Sequence, residues 1–194
     1  MSALTKTLPQ PKPRASELTE GDVWKLIHQG KNVTAYKGEV IDMSPAGRKH
    51  GKVAHNIALS LGNFIKAHKL GAGYTAETGF VVERSPLHIL APDFAFITKE
   101  RDEPQESGFG KIIPDFVLEV RSPSETLGET TEKILEWLAA GVKLVWLADM
   151  KTGSVAAYRK EKGQIRATIY TSDKSIDGGD VFKGFSAKVS EFFE

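Results

Sequence analysis

Residues 114–121 read Pro-Asp-Phe-Val-Leu-Glu-Val-Arg (PDFVLEVR), and this stretch decides the fold. It is a short, mostly apolar run rich in β-branched and aromatic residues, bounded by Pro114 on one side and Ser122-Pro123 on the other, which predicts a strand. Side chains alternate across a sheet, so Phe116, Leu118 and Val120 point one way and Asp115, Val117, Glu119 and Arg121 the other. Glu119 sits mid-strand between Leu118 and Val120. A carboxylate placed there must be paired, protonated or metal-bound, because burying it bare is too costly. The same Pro-Asp-Phe opening recurs at residues 92–94, where PDFAFIT (92–98) predicts a second strand that is almost entirely apolar after Asp93.

The periodicity changes on both sides of these strands. After Ser122-Pro123, residues 127–140 form a helix with Ile134, Trp137 and Leu138 inward and Gly141 as its stop. Strands follow at 143–149, 153–160 and 164–171, separated by Gly153 and Gly163, and AKVSEFF near the C-terminus forms a last short helix. Upstream, a helix covers about 48–68, with Val53, Ile57, Leu61, Phe64 and Ile65 in one continuous stripe. Residues 33–43 form a hairpin turning at Lys37-Gly38 and ended by Ser44-Pro45, residues 74–84 a strand turned by Ser85-Pro86, and residues 99–111 a charged surface loop. Thr19 with Asp22 makes a capping box for a short helix that Gly30 ends. Residues 1–15, with Pro9, Pro11 and Pro13 and few large apolar groups, form a flexible arm, leaving 16–194 as a single domain. Helices interleaved with strands give an α/β fold with a mixed central β-sheet flanked by helices.

Bulk properties narrow the chemistry. The chain has 194 residues and no cysteine, which excludes disulfides, thiolate nucleophiles and cysteine-ligated zinc. Its formal net charge of +1 argues against a non-specific nucleic-acid coat protein but not against a nuclease, whose acidic ligands offset its basic phosphate contacts. No apolar run is long enough to span a bilayer, and the first residues lack the apolar middle of a secretory signal, so a cytoplasmic protein is expected. A Gly-rich phosphate loop and a Gly-x-Ser-x-Gly elbow are both missing, which leaves nucleotide cofactors and serine hydrolysis unsupported.

If the two Pro-Asp strands lie side by side, Asp93 and Glu119 can share one Mg2+ or Mn2+ ion, a hard cation that takes one or two carboxylates and keeps waters for a substrate to displace. Such an ion activates water and stabilises a leaving oxygen. Arg121, on the same face as Glu119, and Lys133, on the following helix, are the cations that could offset charge on a phosphate. The plain alternative is that Glu119 pairs with Arg121 or Lys133 for structure alone. Asp115 is read as a strand-entry residue, and Ser124 or Thr126 as a helix cap. His50 and His55 are five apart and do not face one way, so they are read as ordinary surface or interface histidines, His50 alone being able to approach the site. Arg48, Lys49 and Lys52 beside it form a small basic cluster that could guide a phosphate backbone.

The string PDFVLEVRSPSET, followed by EKILEWLAAGVKLVWLAD, resembles the family of bacterial endonucleases of the PD-(D/E)XK superfamily, over residues from about 20 to the C-terminus. The resemblance implies a restriction-endonuclease-like fold and hydrolysis of phosphodiester bonds in DNA. The family's Gly-Glu strand and Met-Ser-Pro turn match Gly38-Glu39-Val40 and Met43-Ser44-Pro45, which makes Glu39 a third acidic candidate. Pro92-Asp93 matches the first metal ligand, Glu119-Val120 the second, and Lys133 a helical lysine. This chain departs from the superfamily's Glu-x-Lys in having Glu119-Val120-Arg121. Arginine stays protonated, so Arg121 could bind phosphate but not act as a base. Cutting a duplex with such sites calls for two of them, so a homodimer is expected. The competing reading is a non-catalytic nucleic-acid- or protein-binding module with a degenerate nuclease fold.

Overall fold

The computed structural model describes residues 18–104, 107–122 and 125–194, so the arm at 1–15 and Ser124 lie outside the described residues. The chain begins with α1 (Glu20–His28), capped as expected: Thr19 Oγ1 accepts from the Asp22 N–H, and Asp22 Oδ2 accepts from the Thr19 N–H. A hairpin follows, β1 (Val33–Tyr36) and β2 (Glu39–Asp42), turning where Lys37 and Gly38 take φ of 49° and 84°. Positive φ at both turn positions matches the twist of the flanking strands, and Gly38 adopts it without cost.

α2 (Arg48–His68) buries Val53, Ile57, Leu61 and Ile65. The expected strand at 74–84 is two strands. β3 (Gly71–Thr75) ends before Glu77, whose φ is 72°, and β4 (Phe80–Arg84) turns into β5 (Leu87–Leu90) as a separate hairpin. β6 (Phe94–Thr98), β7 (Phe116–Arg121), α3 (Leu127–Ala140), β8 (Leu144–Asp149), β9 (Ser154–Glu161) and β10 (Gln164–Tyr170) follow. The tail adds a hairpin that periodicity did not reveal, β11 (Ser175–Gly178) with β12 (Phe182–Lys188), before α4 (Ser190–Phe193). Ala187 and Lys188, expected in the last helix, therefore belong to β12.

Six strands form the central sheet in the order β10-β9-β8-β7-β6-β3. β7 and β8 run parallel, joined through α3, and the remaining neighbours are antiparallel, so the sheet is mixed. Alternation along β7 divides the core. Phe116, Leu118 and Val120 pack with the α2 stripe, while Val117 packs with Ile134, Trp137 and Leu138 of α3. A smaller cluster joins α1, β1 and the β4–β5 hairpin through Val23, Val33, Ala35 and Ile89.

Candidate active site

β6 and β7 are neighbours, with Phe94 opposite Leu118, which brings Asp93 at the start of one strand to Glu119 and Val120 near the end of the other. The main chain continues the ladder past Phe94, the Asp93 N–H donating to the Leu118 carbonyl at 3.1 Å. Asp93 Oδ2 then accepts from the Val120 N–H at 2.7 Å. Glu119 points toward α3, where Oε1 accepts from the indole N–H of Trp137 at 2.8 Å, and Lys133 Nζ stands 3.6 Å from Oε2. Lys133 and Trp137 are one helical turn apart, so a single face of α3 supplies both contacts. Lys133 also donates to Glu125 Oε1 at 3.0 Å, and Glu125 Oε2 accepts from the Ser122 N–H.

These groups open onto a cavity of about 540 Å³ lined by Asp93, Glu119, Glu125, Lys133, His50 and the Met43–Gly47 turn. A second cavity of about 530 Å³ lies on the α3 side and shares Glu119, Glu125 and Lys133 with the first. The carboxylates are under electrostatic stress. Burial raises Glu119 to about 7, the Asp93 charge adding to the rise while Lys133 and the Trp137 N–H oppose it. Burial also raises Asp93 above the usual carboxylate range, against the pull of His50 and the Val120 N–H. The Glu119 charge holds Lys133 above the ordinary lysine range. Two desolvated carboxylates that repel each other over a shared cavity favour a bound cation.

The other candidates fall at different distances from this centre. Arg121 is half-buried and pairs with Asp149 Oδ2 at 3.0 Å, the residue opposite it in the parallel β7–β8 register, and it lines neither cavity. Glu39 is exposed on β2 and also lines neither cavity; the acidic residue of that hairpin that reaches the wall is Asp42. Asp115 lies at the far end of β7, where it accepts from the Thr98 N–H and pairs with Arg101 and Lys143, each at 2.7 Å. Burial pushes its carboxyl up, but Lys143, the Thr98 N–H and Arg101 outweigh burial and hold it below the usual range. Thr126 is the N-cap of α3, in a capping box with Glu129.

His50 lies beside the site, the alternative left open for it. Its Nε2 is 2.7 Å from the Val120 carbonyl oxygen and 3.5 Å from Asp93 Oδ2. A signal for this was present, since His50 stands three and seven residues before Val53 and Ile57 and is in phase with the buried stripe of α2. Glu125 carried no local signal, because its role depends on a contact across eight residues to Lys133. Among the described residues, no three His, Cys, Asp or Glu side chains are grouped to hold a metal. What the site offers is two hard carboxylates beside a backbone carbonyl, the sparse donor set that Mg2+ accepts while keeping its waters.

The sequence profile of the family described as "Uma2: Putative restriction endonuclease" matches residues 19–190. The chain belongs to the Uma2 family. That span takes in every element from α1 to β12 and every site residue named above. Among solved structures, a protein from Anabaena variabilis described as a putative nuclease superposes with a TM-score of 0.75 at 19% identity, covering 91% of this chain and 97% of that one. The restriction-endonuclease-like fold expected from the sequence is therefore the fold of this Uma2 member. No curated protein matches the chain. No helix among the described residues is long and apolar enough to cross a membrane.

Proposed function

We propose that this Uma2 protein is a nuclease that hydrolyses phosphodiester bonds in DNA with Mg2+ or Mn2+ held by Asp93 and Glu119. The observation that carries the reading is the convergence of these two carboxylates from neighbouring strands, each with one oxygen fixed by an N–H donor and both raised above their ordinary range. Fixing one oxygen orients each carboxylate, as a preorganised ligand requires. The residues fit a hard divalent cation, which would polarise the phosphate and make water a better nucleophile.

The chain's own groups do the rest. Lys133 supplies the positive charge that offsets negative charge developing on the phosphoryl oxygens. Glu125 holds its ammonium at the cavity wall, so the cation is in place before substrate arrives. His50, donating to the Val120 carbonyl, fixes the strand end that carries Glu119. Arg121 and Glu39 act from outside this centre: Arg121, paired with Asp149, as a phosphate contact beyond the cavity wall, and Glu39 as an exposed carboxylate on the β1–β2 hairpin. The basic start of α2, Arg48, Lys49 and Lys52, guides the backbone of the nucleic acid.

The test is calorimetric titration of Mn2+ and Mg2+ into wild type and Glu119→Ala, with plasmid nicking followed on the same samples. Binding and nicking that are present in wild type and absent from Glu119→Ala are the expected result. Metal binding without nicking of any DNA would turn the reading toward a non-catalytic binding module. No metal binding by the wild type would overturn it.

A further inference from the structure

Among the described residues, β10 is the outer strand of the central sheet and pairs with β9 on one side only. Every residue from Gln164 to Ile169 is exposed. Ile165 is 45% and Ile169 68% exposed, the latter the most exposed large apolar side chain among the described residues. A free edge strand that displays isoleucines is a pairing template, and soluble proteins ordinarily blunt such edges with inward charges, prolines or bulges. β10 has no proline, its pairing with β9 runs without a register shift, and its one charged residue, Arg166, is engaged by Glu161 at 3.2 Å.

The hairpin geometry determines which groups face the open side. Glu161 and Gln164 close a two-residue turn in which Lys162 and Gly163 take φ of 48° and 79°. The residues closing such a turn bond to each other, and antiparallel pairs then alternate. Gln164, Arg166, Thr168 and Tyr170 therefore direct their N–H and C=O groups to β9. Ile165, Ala167 and Ile169 direct theirs outward, and their side chains share one face of the sheet.

The geometry points to a self-association surface: a second copy of this chain adds its β10 antiparallel to the first, about a two-fold axis through Ala167. In that register Ile165 of each copy stands opposite Ile169 of the other, Arg166 opposite Thr168 and Gln164 opposite Tyr170. Apolar side chains meet apolar ones twice, no like charges face each other, and about six main-chain hydrogen bonds form. Neighbouring registers are worse. An axis through Ile165 carries Ile169 past the turn at Lys162-Gly163, one through Ile169 carries Ile165 past the end of β10 at Tyr170, and one through Arg166 sets that arginine against its own copy. The register through Ala167 sets both isoleucines against isoleucine, the self-complementarity that an isologous interface demands. This assignment stands on the edge strand alone and does not depend on the nuclease reading.

The chain has no cysteine, so a single introduced thiol reports the axis directly. In Ala167→Cys the two mates lie about 5.5 Å apart at Cα, within the span of a disulfide. In Ile165→Cys the mates are offset by four positions, about 13 Å, and cannot join. Expected under mild oxidation is a covalent dimer of Ala167→Cys and none of Ile165→Cys. Light scattering coupled to gel filtration should show wild-type dimers in the micromolar range. Ile169→Lys, at a position too exposed to disturb folding, should need at least about tenfold more protein to dimerise. A monomer throughout that range overturns the proposal, as does a dimer indifferent to Ile169→Lys or equal cross-linking of the two cysteine variants.

Discussion

Glu119→Gln is expected to stabilise the metal-free protein, and the size of the gain follows from the site. Burial holds the Glu119 carboxyl at about 7, against an ordinary value of 4.5. A folded-state value above the unfolded one means that the native protein retains a proton the unfolded chain has released. The resulting stabilisation is whole below pH 4.5, declines as pH rises from 4.5 to about 7, and is gone above that. At about 1.4 kcal/mol per pH unit, the loss across this window is about 3 kcal/mol. Glutamine stays neutral, and its Oε1 still accepts from the Trp137 N–H, so the variant should not pass through this decline. Urea unfolding in the presence of a chelator, at intervals from pH 4.5 to 8, gives the difference directly. The two proteins should be equally stable at the acid end and differ by about 3 kcal/mol in favour of Glu119→Gln at pH 8. Mn2+ at about a hundred times its Kd should return about 2.7 kcal/mol to the wild type and nothing to the variant. A difference that stays within about 0.5 kcal/mol across the whole pH range would refute the claim that Glu119 is a desolvated, strained carboxylate.

Lys133→Gln should lower the nicking rate at saturating Mn2+ by about 100-fold or more, measured in single-turnover assays. Trp137→Phe removes the donor to Glu119 Oε1, so the Glu119 carboxyl should rise further and Mn2+ affinity at pH 6.5 should fall more than at pH 8, read by calorimetry at the two pH values. Asp115→Asn should cost about 2 kcal/mol at pH 7, with nicking per folded molecule unchanged. Its carboxyl is held low, so the stability it adds is present above the ordinary Asp range and is lost as pH falls through the folded-state value; acid unfolding of wild type and variant should therefore converge.

Much of this architecture was legible because several signals coincided in the same residues. α2 and α3 were read to their observed ends, since each joins a clean apolar stripe to a sharp boundary, Ser44-Pro45 and Gly71 for one, Thr126 and Gly141 for the other. β11 and β12 escaped because SIDGGDVFKGFSAK is short and glycine-broken, and its apolar residues Ile176, Phe182 and Phe185 find their partners across the molecule on the α2 face. The break between β3 and β4 escaped because Ala76–Gly79 contains no proline and the flanking residues all favour strands. In the site, strand patterning put Asp93 and Glu119 forward as neighbours if their strands paired, as β6 and β7 do. The Arg121–Asp149 pair could not, because it follows from the parallel register of β7 on β8, and no local rule places residue 121 opposite residue 149.

The acidic residues at the two ends of β7 are held in opposite electrostatic states. Asp115, one residue before β7, and Glu119 within it are four apart, and both are buried. At the Asp115 end the chain supplies a backbone N–H and two cations, enough to overcome burial and hold the group ionised. At the Glu119 end it supplies one indole N–H and a lysine shared with Glu125, and it sets a second carboxylate nearby. Nothing in the strand's chemistry forces this asymmetry, since Lys143 and Arg101 show that the same sheet can neutralise a buried acid fully. A position left short of positive charge beside a cavity destabilises the protein that carries it, and such a deficit is sustained where an incoming cation makes it good. The strand end at Glu119 is incomplete electrostatically, and Mg2+ or Mn2+ under the proposed nuclease reading is the group that completes it.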